Sequence, residues 1–393
     1  MDNIYQAKHL KRNHYSVSLA EQEALLEKLK SRNDIESKRL QSYLALPDLT
    51  RLKGNPVKSV TDRVLDLPSL KEFDLIDTPL IIASKVVFDL FNFPKDHPAR
   101  SRSDTYYVDE KHILRPHTSM MWKYYFDIPE VREKLEKYGS VGAISYGTVF
   151  RRDEIDWQHT NVLHHIDGLF VCEKNIKNLK QSDLEDILWE VAHSLFGNDI
   201  KGRFNVEHYP YTDPSLEMEI AWDNKWVEIL GAGLVHPQVL KNLNIDPDVY
   251  CGWAFGFGAD RLAMVKMAIP DIRLLRSKDE RILRQFKNID QSYQSVSKYP
   301  SVVRDISFIV NKNSFNLNRY YEVVREVIDA QFIEEVKLLD HFDDEQRFGK
   351  GKTSYTFRVV YRHLGRTLTN AEVDEMHKKL EEKTKAEFSA VIR

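Results

Sequence analysis

The clearest strand signal in the chain reads Val141-Gly-Ala-Ile-Ser-Tyr-Gly-Thr-Val-Phe150 and runs directly into Arg151-Arg152-Asp153. Apolar and small residues dominate this run, which predicts a buried strand. A second strand is predicted over His164–Val171, where polar and apolar residues alternate. An arginine at a strand end can bind a phosphate through two parallel N–H bonds, so Arg151 is a candidate phosphate ligand. The alternative is a surface ion pair with Asp153.

Around this pair of strands, short strands alternate with inserted helices. Glu217–Trp222 and Lys225–Leu230 are predicted strands joined across Asp223-Asn224, a dipeptide typical of tight hairpin turns. A helix is predicted over Ala259–Met267, because Pro270 prevents it from continuing. Strands that pair through hairpins, with helices between them, indicate an antiparallel sheet of the α+β class.

Capping residues predict two further helices. Ser18 and Glu21 have the spacing of a capping box and predict one helix over residues 16–45. Ser182 and Glu185 have the same spacing and predict the start of a second helix.

Composition excludes several classes of protein. The chain has 393 residues, enough for two or three domains. It carries 57 basic and 60 acidic side chains, so a histone-like polycation and an acidic tail are excluded, and any contact with nucleic acid has to be local. No apolar run approaches the roughly 18 residues that a membrane helix needs. The two cysteines, Cys172 and Cys251, form no CxxC pair, which excludes a disulfide framework and favours a reducing compartment.

A polar connector at residues 288–297 separates a C-terminal domain, residues 298–393, from the preceding domain at 48–287 and an extension at 1–47. Beyond the connector a βαββαβ order is predicted, which is the ferredoxin-like split motif. Its elements are a strand at 302–310, a helix at 316–330, strands at 333–341 and 353–362, a helix at 370–388 and a short final strand.

Residues 347–366 are basic and contain no acid, with aromatic residues interleaved. The basic side chains are Arg347, Lys350, Lys352, Arg358, Arg362 and Arg366. One interpretation is the solvated face of a strand pair. The other is a phosphate-binding surface on which aromatic rings stack with bases.

A glycine-rich segment, Gly256-Phe-Gly258-Ala-Asp260-Arg261, opens the helix at Ala259–Met267. Small residues there let the backbone approach a nucleotide, and Arg261 can cover its phosphates. The segment lacks the third glycine of a dinucleotide fingerprint, so a Rossmann fold is disfavoured.

Histidines near these motifs raise two further possibilities. His159, His164 and His165 lie near aspartates in the sequence and have the ligand types of a metal site. However, His164 and His165 are adjacent on a strand and must point to opposite faces. His117 precedes Thr118-Ser119, but no acid–base partner can be assigned, so a serine-nucleophile triad is unsupported.

The order of these segments resembles motifs 2 and 3 of the class II aminoacyl-tRNA synthetases. Longer segments resemble the catalytic subunit of phenylalanyl-tRNA synthetase: Asp96-His97-Pro98-Ala99-Arg100, Leu114-Arg115-Pro116-His117-Thr118-Ser119, Phe150-Arg151-Arg152-Asp153-Glu154-Ile155-Asp156, Trp226-Val-Glu228-Ile-Leu-Gly231-Ala-Gly233 and Gly252-Trp253-Ala254-Phe255-Gly256. The tail resembles that family's anticodon-binding domain in Ser297-Lys298-Tyr299-Pro300, Asp305-Ile306-Ser307-Phe308 and Tyr361-Arg362-His363. The presence of both domains on one chain resembles the monomeric, mitochondrial-type form of this family.

The resemblance implies a ligase that activates phenylalanine with ATP and Mg²⁺ and transfers it to the terminal ribose of tRNA(Phe). It also implies a monomeric protein that has no membrane partner. The short N-terminus carries no recognisable leader, which favours a bacterial cytoplasm, with the mitochondrial matrix as the alternative. Two other functions stay open: a related ligase for another large amino acid, and a tRNA-binding paralogue that no longer charges.

The resemblance also implies roles for individual residues. Arg151 would hold the α-phosphate and Arg261 the far phosphates, with His117 close by as the third catalytic candidate. Asp153 and Glu228 complete the ATP site, and Glu228 is the candidate Mg²⁺ ligand. Amino-acid binding is implied for Ser119, Met120, Met121, Trp122, Gln158, His159, Thr160, His165, Ile166, Asp167, Tyr209, Tyr211, Ala254 and Phe255. Binding of tRNA is assigned to the six basic residues at 347–366.

Some positions depart from the family pattern. Where the family holds the substrate ammonium with Gln and Glu, this chain has His165 and Asp167. His165 can accept a hydrogen bond only while neutral. The family's Phe-Pro-Phe is Tyr209-Pro210-Tyr211, and the acid of motif 3 is Asp260 where Glu is usual. The extension at 1–47 is interpreted as a packed accessory element or, since residues 1–58 are basic, a tRNA-contacting arm.

Overall fold

The computed structural model describes residues 11–152 and 156–393. The chain forms two compact units, with the boundary between Tyr293 and Gln294. In the part of the chain described, no helix has the length and apolar character needed to cross a membrane.

The first unit contains ten strands and ten α-helices in its described residues. The strands are β1 (His14–Ser16), β2 (Asp74–Asp77), β3 (Ile81–Ala83), β4 (His112–Leu114), β5 (Ser140–Phe150), β6 (Val162–Glu173), β7 (Gly202–Glu207), β8 (Thr212–Trp222), β9 (Lys225–Val235) and β10 (Tyr250–Gly258). The helices are α1 (Ala20–Lys30), α2 (Ile35–Leu44), α3 (Pro56–Leu65), α4 (Ser84–Phe88), α5 (Met121–Phe126), α6 (Pro129–Tyr138), α7 (Gln181–Phe196), α8 (Pro237–Asn242), α9 (Ala259–Met267) and α10 (Glu280–Leu283).

Eight of these strands form one sheet in the order β1-β2-β5-β6-β10-β9-β8-β7. The pairs β1–β2 and β2–β5 are parallel, and the remaining pairs are antiparallel, which confirms the predicted α+β class. The hairpin at Asp223-Asn224 is also confirmed. Both residues have positive φ, 48° and 59°, as the mirror-image turns of hairpins require, and Asp and Asn tolerate that region better than other non-glycine residues.

One apolar core cluster of this unit lies between the sheet and the helices α5, α6 and α8. Trp122, Tyr125 and Phe126 of α5 are at most 1% exposed and belong to one apolar cluster with Ala143 and Leu169 of the sheet. The spacing of these helix residues places a continuous apolar stripe against the strands. This packing holds β5 and β6 rigidly, and their ends carry the candidate site.

The single helix predicted over residues 16–45 is wrong, because the structure has α1 and α2 separated by a turn. The Asp34 carboxylate accepts a hydrogen bond from Ser37 N at 2.8 Å and so starts a new helix. The Ser18–Glu21 capping box is not formed; Leu19 is the N-cap of α1 and no side chain caps it.

The capping pair predicted for the helix α7 is also wrong. The helix begins at Gln181, so Ser182 already lies inside it. The Asp183 carboxylate accepts from Lys180 N at 2.7 Å, and this reciprocal bond fixes the start of the helix instead.

The second unit has the predicted strand and helix order. Its elements are β11 (Val302–Asn311), α11 (Leu317–Val327), β12 (Ile333–Phe342), α12 (Glu345–Phe348), β13 (Lys352–Tyr361), α13 (Asn370–Phe388) and β14 (Val391–Ile392). The four strands are antiparallel in the order β12-β13-β11-β14, which confirms the ferredoxin-like fold. The short helix α12 was not predicted; the Asp344 carboxylate caps it by accepting from the backbone N–H groups of Gln346 and Arg347, both at 3.0 Å.

Candidate active site

A cavity of about 380 Å³ opens on one face of the large sheet. Its wall is built mainly from the strands β6, β9 and β10 and from the segments that follow β4 and β5. The sequence-predicted residues that line it are His117, Ser119, Trp122, Arg151, Gln158, His159, Thr160, His165, Asp167, Tyr209, Tyr211, Glu228, Ala254, Phe255 and Arg261. A volume of this size accommodates a small-molecule ligand.

Asp167 is a buried carboxylate at the centre of this wall, with 4% of its surface exposed. Its Oδ2 accepts hydrogen bonds from Thr118 N at 3.0 Å and from the Thr118 hydroxyl, and its Oδ1 accepts from the Ser119 hydroxyl at 2.7 Å. A Cβ on Gly256 would lie 2.4 Å from Oδ1, so a glycine there leaves room for the carboxylate. Burial alone would raise the pKa of Asp167, but its interaction with His165, the positive charge that His165 and His117 carry in the acid range where Asp167 titrates, and the hydrogen bond from Thr118 outweigh it and lower that pKa.

At neutral pH the two histidines beside Asp167 are neutral, because the pKa of each is lowered. Burial lowers the pKa of His117 to about 3, and the positive charge of Arg151 acts in the same direction. Burial and Arg151 likewise lower the pKa of His165, although Asp167, 3.6 Å from its Nδ1, opposes the shift. A neutral His165 retains a lone pair that can accept a hydrogen bond.

Two arginines stand at different parts of the cavity. Arg151 follows the end of β5, and its Nε donates to Pro116 O at 3.0 Å, which anchors the side chain at the cavity wall. Arg261 lies in the first turn of α9, with its Nη1 3.5 Å from Glu228 Oε2 of β9. Both guanidinium groups line the cavity and can neutralise a polyanion there.

Tyr209 and Tyr211 form a stacked pair with ring centroids 5.5 Å apart and an interplanar angle of 5°. The Tyr209 hydroxyl donates to Glu217 Oε1 at 3.0 Å. A Cβ on Gly231 would lie 2.7 Å from that hydroxyl, so this glycine lets the ring lie over the strand. Sequence reasoning missed Glu217. The sequence signal that could have identified Glu217 is its place in the β8–β9 hairpin, where it lies opposite Gly231.

Ala254 and Phe255 of β10 form an apolar part of the cavity wall. Ala254 is 5% exposed and borders both the cavity and the core. The Phe255 ring lies over Gly168, where a Cβ would be 2.3 Å from the ring, and stacks at 4.9 Å on Phe257. Ala254 faces the same side as Trp122 and Tyr211, which also line the cavity, and these three residues form an apolar slot suited to a planar side chain.

Three residues assigned to the amino-acid site do not line the cavity. Met120, Met121 and Ile166 are fully buried in the core. Ile166 lies on β6 between His165 and Asp167, and here the tertiary packing buries it, whereas both neighbours reach the cavity. Asp153 lies outside the described residues.

His164 and Asp260 form a buried pair behind the cavity. His164 Nδ1 lies 2.9 Å from Asp260 Oδ1, and His164 Nε2 accepts from Leu49 N at 3.1 Å. These bonds tie the start of α9 to β6, and they occupy the imidazole that the metal alternative required. No group of three or more metal-ligating side chains is found among the residues described.

The basic stretch at 347–366 is more strongly paired than its sequence indicates. Arg358 binds Asp305 at 2.8 Å, and Arg362 and Arg366 pair with Glu334 and Glu372. Two of the interleaved rings, Phe357 and Tyr361, are fully buried in the core of the second unit. They are therefore not available to stack with bases, and Arg347 lies in the helix α12 rather than on a strand pair.

Comparison with known proteins adds to this geometry. A model of the class II core domain (F) of tRNA synthetases matches residues 42–286, and a model of the ferredoxin-fold anticodon-binding domain matches residues 297–393. Mitochondrial phenylalanine–tRNA ligase of Mus musculus is 34% identical over 77% of this chain and 72% of its own. The corresponding proteins of Dictyostelium discoideum and Saccharomyces cerevisiae are 33% and 31% identical, over 79% and 80% of this chain and 77% and 81% of theirs.

Proposed function

The chain belongs to the phenylalanine–tRNA ligase family of class II aminoacyl-tRNA synthetases, and we propose that its cavity activates phenylalanine with ATP before transfer to tRNA. The family is an enzyme family that aminoacylates tRNA. The anticodon-binding domain supports tRNA binding, and the single-chain relatives support a monomer. Those relatives are mitochondrial, so the cytoplasmic prediction is not confirmed, and we favour a mitochondrial location.

The observation that carries the proposal is the buried, ionised Asp167. Among the described residues no lysine or arginine forms an ion pair with it, and its nearest titratable neighbour, His165, is neutral. An unpaired buried charge is costly, whereas one that meets an opposite charge is stabilised. The ammonium group of an amino acid supplies that charge, with the lone pair of His165 as a second acceptor.

The side chain of phenylalanine fits the apolar part of the cavity. Trp122 and Tyr211 line the cavity beside Ala254, and Tyr211 contacts Phe91 edge-on at 5.6 Å, so its own orientation is held. Ala254 limits the depth of the slot. An aromatic substrate therefore gains ring contacts that an aliphatic one of equal length does not.

Adenylate formation places negative charge on the α-phosphate as the substrate carboxylate attacks it. Arg151 and Arg261 both line the cavity; Arg151 would hold that phosphate in a bidentate manner, and Arg261 would hold the phosphates that leave. Fixed cations of this kind stabilise the transition state because they need no reorganisation during the reaction. His117 stays neutral and can donate or accept a hydrogen bond, but it adds no charge beside Arg151.

Mg²⁺ fits the acidic side of the cavity. Glu228 lines the cavity, and burial together with repulsion from Glu228 raises the pKa of Glu217 on the neighbouring strand β8. Oxygen ligands of this type suit Mg²⁺, which would neutralise phosphate charge when bound. Glu228 is the residue that would hold it.

The test is pyrophosphate exchange of the full chain with each of the twenty amino acids. We expect exchange that depends on phenylalanine and is far weaker with the other nineteen. Exchange that is strongest with another large amino acid would assign the ligase to that amino acid. No exchange with any amino acid, by protein that binds tRNA, would identify a non-catalytic paralogue.

A further inference from the structure

The helix α2 reaches the base of the loop between β5 and β6. The Arg152 guanidinium forms an ion pair with Glu36 of α2. It also lies 4.3 Å from the centroid of the Tyr106 ring, within the range of a cation–π contact. The ring of Tyr43, also from α2, meets the same Tyr106 edge-on at 5.4 Å. Two residues of α2 therefore hold one cluster around Arg152.

The same cluster continues to the backbone of Arg151. The Asn161 side-chain amide donates to the Tyr106 hydroxyl at 2.8 Å and to Arg151 O at 3.3 Å. Arg151 N donates to Asn161 O at 3.1 Å, and Arg152 N donates to Asp104 O at 3.3 Å. The peptide groups on both sides of Arg151 are thus fixed by residues that touch the cluster.

We infer that Glu36 is a positioning residue for Arg151, an inference that rests on the proposed function. Adjacent residues at a strand end point their side chains in opposite directions. Holding Arg152 on Glu36 therefore keeps the Arg151 guanidinium on the cavity side. The same ion pair keeps Arg152, a second guanidinium next to Arg151, from binding the same phosphate.

A purely structural role for Glu36 predicts a different outcome. Its side chain is 38% exposed, and a surface ion pair of this kind contributes little to folding. The helix α2 is anchored independently by Leu40, which is 1% exposed in an apolar cluster with Leu25 and Leu29. Loss of the Glu36 charge should leave the helix in place and alter only what Arg152 does.

The experiment measures phenylalanine-dependent pyrophosphate exchange by the full chain carrying Glu36→Gln. We expect KM for ATP to rise by about fivefold or more, the scale of coupling inside one network, with KM for phenylalanine unchanged. The matched control is Arg39→Gln, which removes the other partner of Glu36, 2.9 Å away, and keeps the pair with Arg152. It should leave both KM values as they are. Exchanging the charges, Glu36→Arg with Arg152→Glu, should restore KM for ATP.

Three results would overturn the inference while the wild type stays active. The first is an unchanged KM for ATP in folded Glu36→Gln protein. The second is a lower kcat and a lower melting temperature with both KM values unchanged, which is the signature of less folded protein. The third is an equal rise in KM for ATP in Arg39→Gln. A wild-type chain without phenylalanine-dependent exchange would refute the proposed function instead.

Discussion

Replacing Asp167 with asparagine should remove the charge that meets the substrate ammonium and keep the shape of the site. Asparagine Oδ1 can accept from Thr118 N and its hydroxyl, as Oδ2 does now. Its Nδ2 can donate to the Ser119 hydroxyl, which now donates to Oδ1 at 2.7 Å, because a hydroxyl both donates and accepts. All the present hydrogen bonds to protein thus have a counterpart in the variant, so we expect the free energy of unfolding to change by less than about 1 kcal/mol.

Binding should suffer far more than stability. Removing one partner of a buried ion pair costs about 3–5 kcal/mol, which corresponds to about two to nearly four orders of magnitude in kcat/KM for phenylalanine. The assay is pyrophosphate exchange at varied phenylalanine and saturating ATP, with urea unfolding of the same preparation. KM for ATP serves as the internal control and should change little, because the phosphate ligands that we propose are Arg151 and Arg261.

The reasoning would be refuted by a folded Asp167→Asn variant that keeps kcat/KM for phenylalanine within about threefold of wild type, since that difference is under about 1 kcal/mol. An equal loss for phenylalanine and ATP, together with a lower stability, would also contradict it. That result would show that Asp167 organises the loop at Thr118 and does not meet the ammonium.

Four further outcomes follow from the site and from the second unit. Arg151→Lys should lose about 3 kcal/mol or more of transition-state stabilisation, because the lysine ammonium cannot form two parallel hydrogen bonds to one phosphate. A rate of pyrophosphate exchange near that of the wild type would contradict bidentate binding. Ala254→Gly should admit para-chlorophenylalanine with a specificity gain of about tenfold, measured as the ratio of exchange rates, and an unchanged ratio would remove Ala254 from the slot. The pKa of His117 is about 6.5 in the unfolded chain and about 3 in the folded chain. Its contribution therefore lowers the free energy of unfolding by about 1.4 kcal/mol per pH unit as the pH falls from about 6.5 towards 3. Urea unfolding should show a smaller dependence of stability on pH for His117→Gln. Lys350→Glu with Lys352→Glu should weaken tRNA binding and reduce the dependence of its affinity on salt concentration. These exposed lysines, unlike Arg358, have no acidic partner among the described residues. An unchanged salt dependence would favour a merely solvated face.

Local patterns in the sequence determined some elements of the first unit and the order of the elements in the second. The strand β5, the hairpin at Asp223-Asn224 and the helix α9 were all predicted near their observed bounds. Their signals come from alternation, turn chemistry and proline, which act over a few residues and need no distant partner. The order of strands and helices in the second unit follows in the same way. The Ser182–Glu185 cap failed because a competing acceptor, Asp183, lies next to Ser182, and the single helix at 16–45 failed because Asp34 caps a second helix within it.

Only the tertiary structure decided which side chains share the cavity and which charges are paired. Arg358 and Arg362 looked available because their partners, Asp305 and Glu334, come from other strands and meet them through the sheet. The burial of Ile166 between two cavity residues depends on what packs on each face of β6. The same holds for the contact of Glu36 with Arg152, 116 residues away in the chain. Sequence patterns record local preferences, whereas pairing, burial and protonation depend on which distant groups the folded chain brings within a few ångströms.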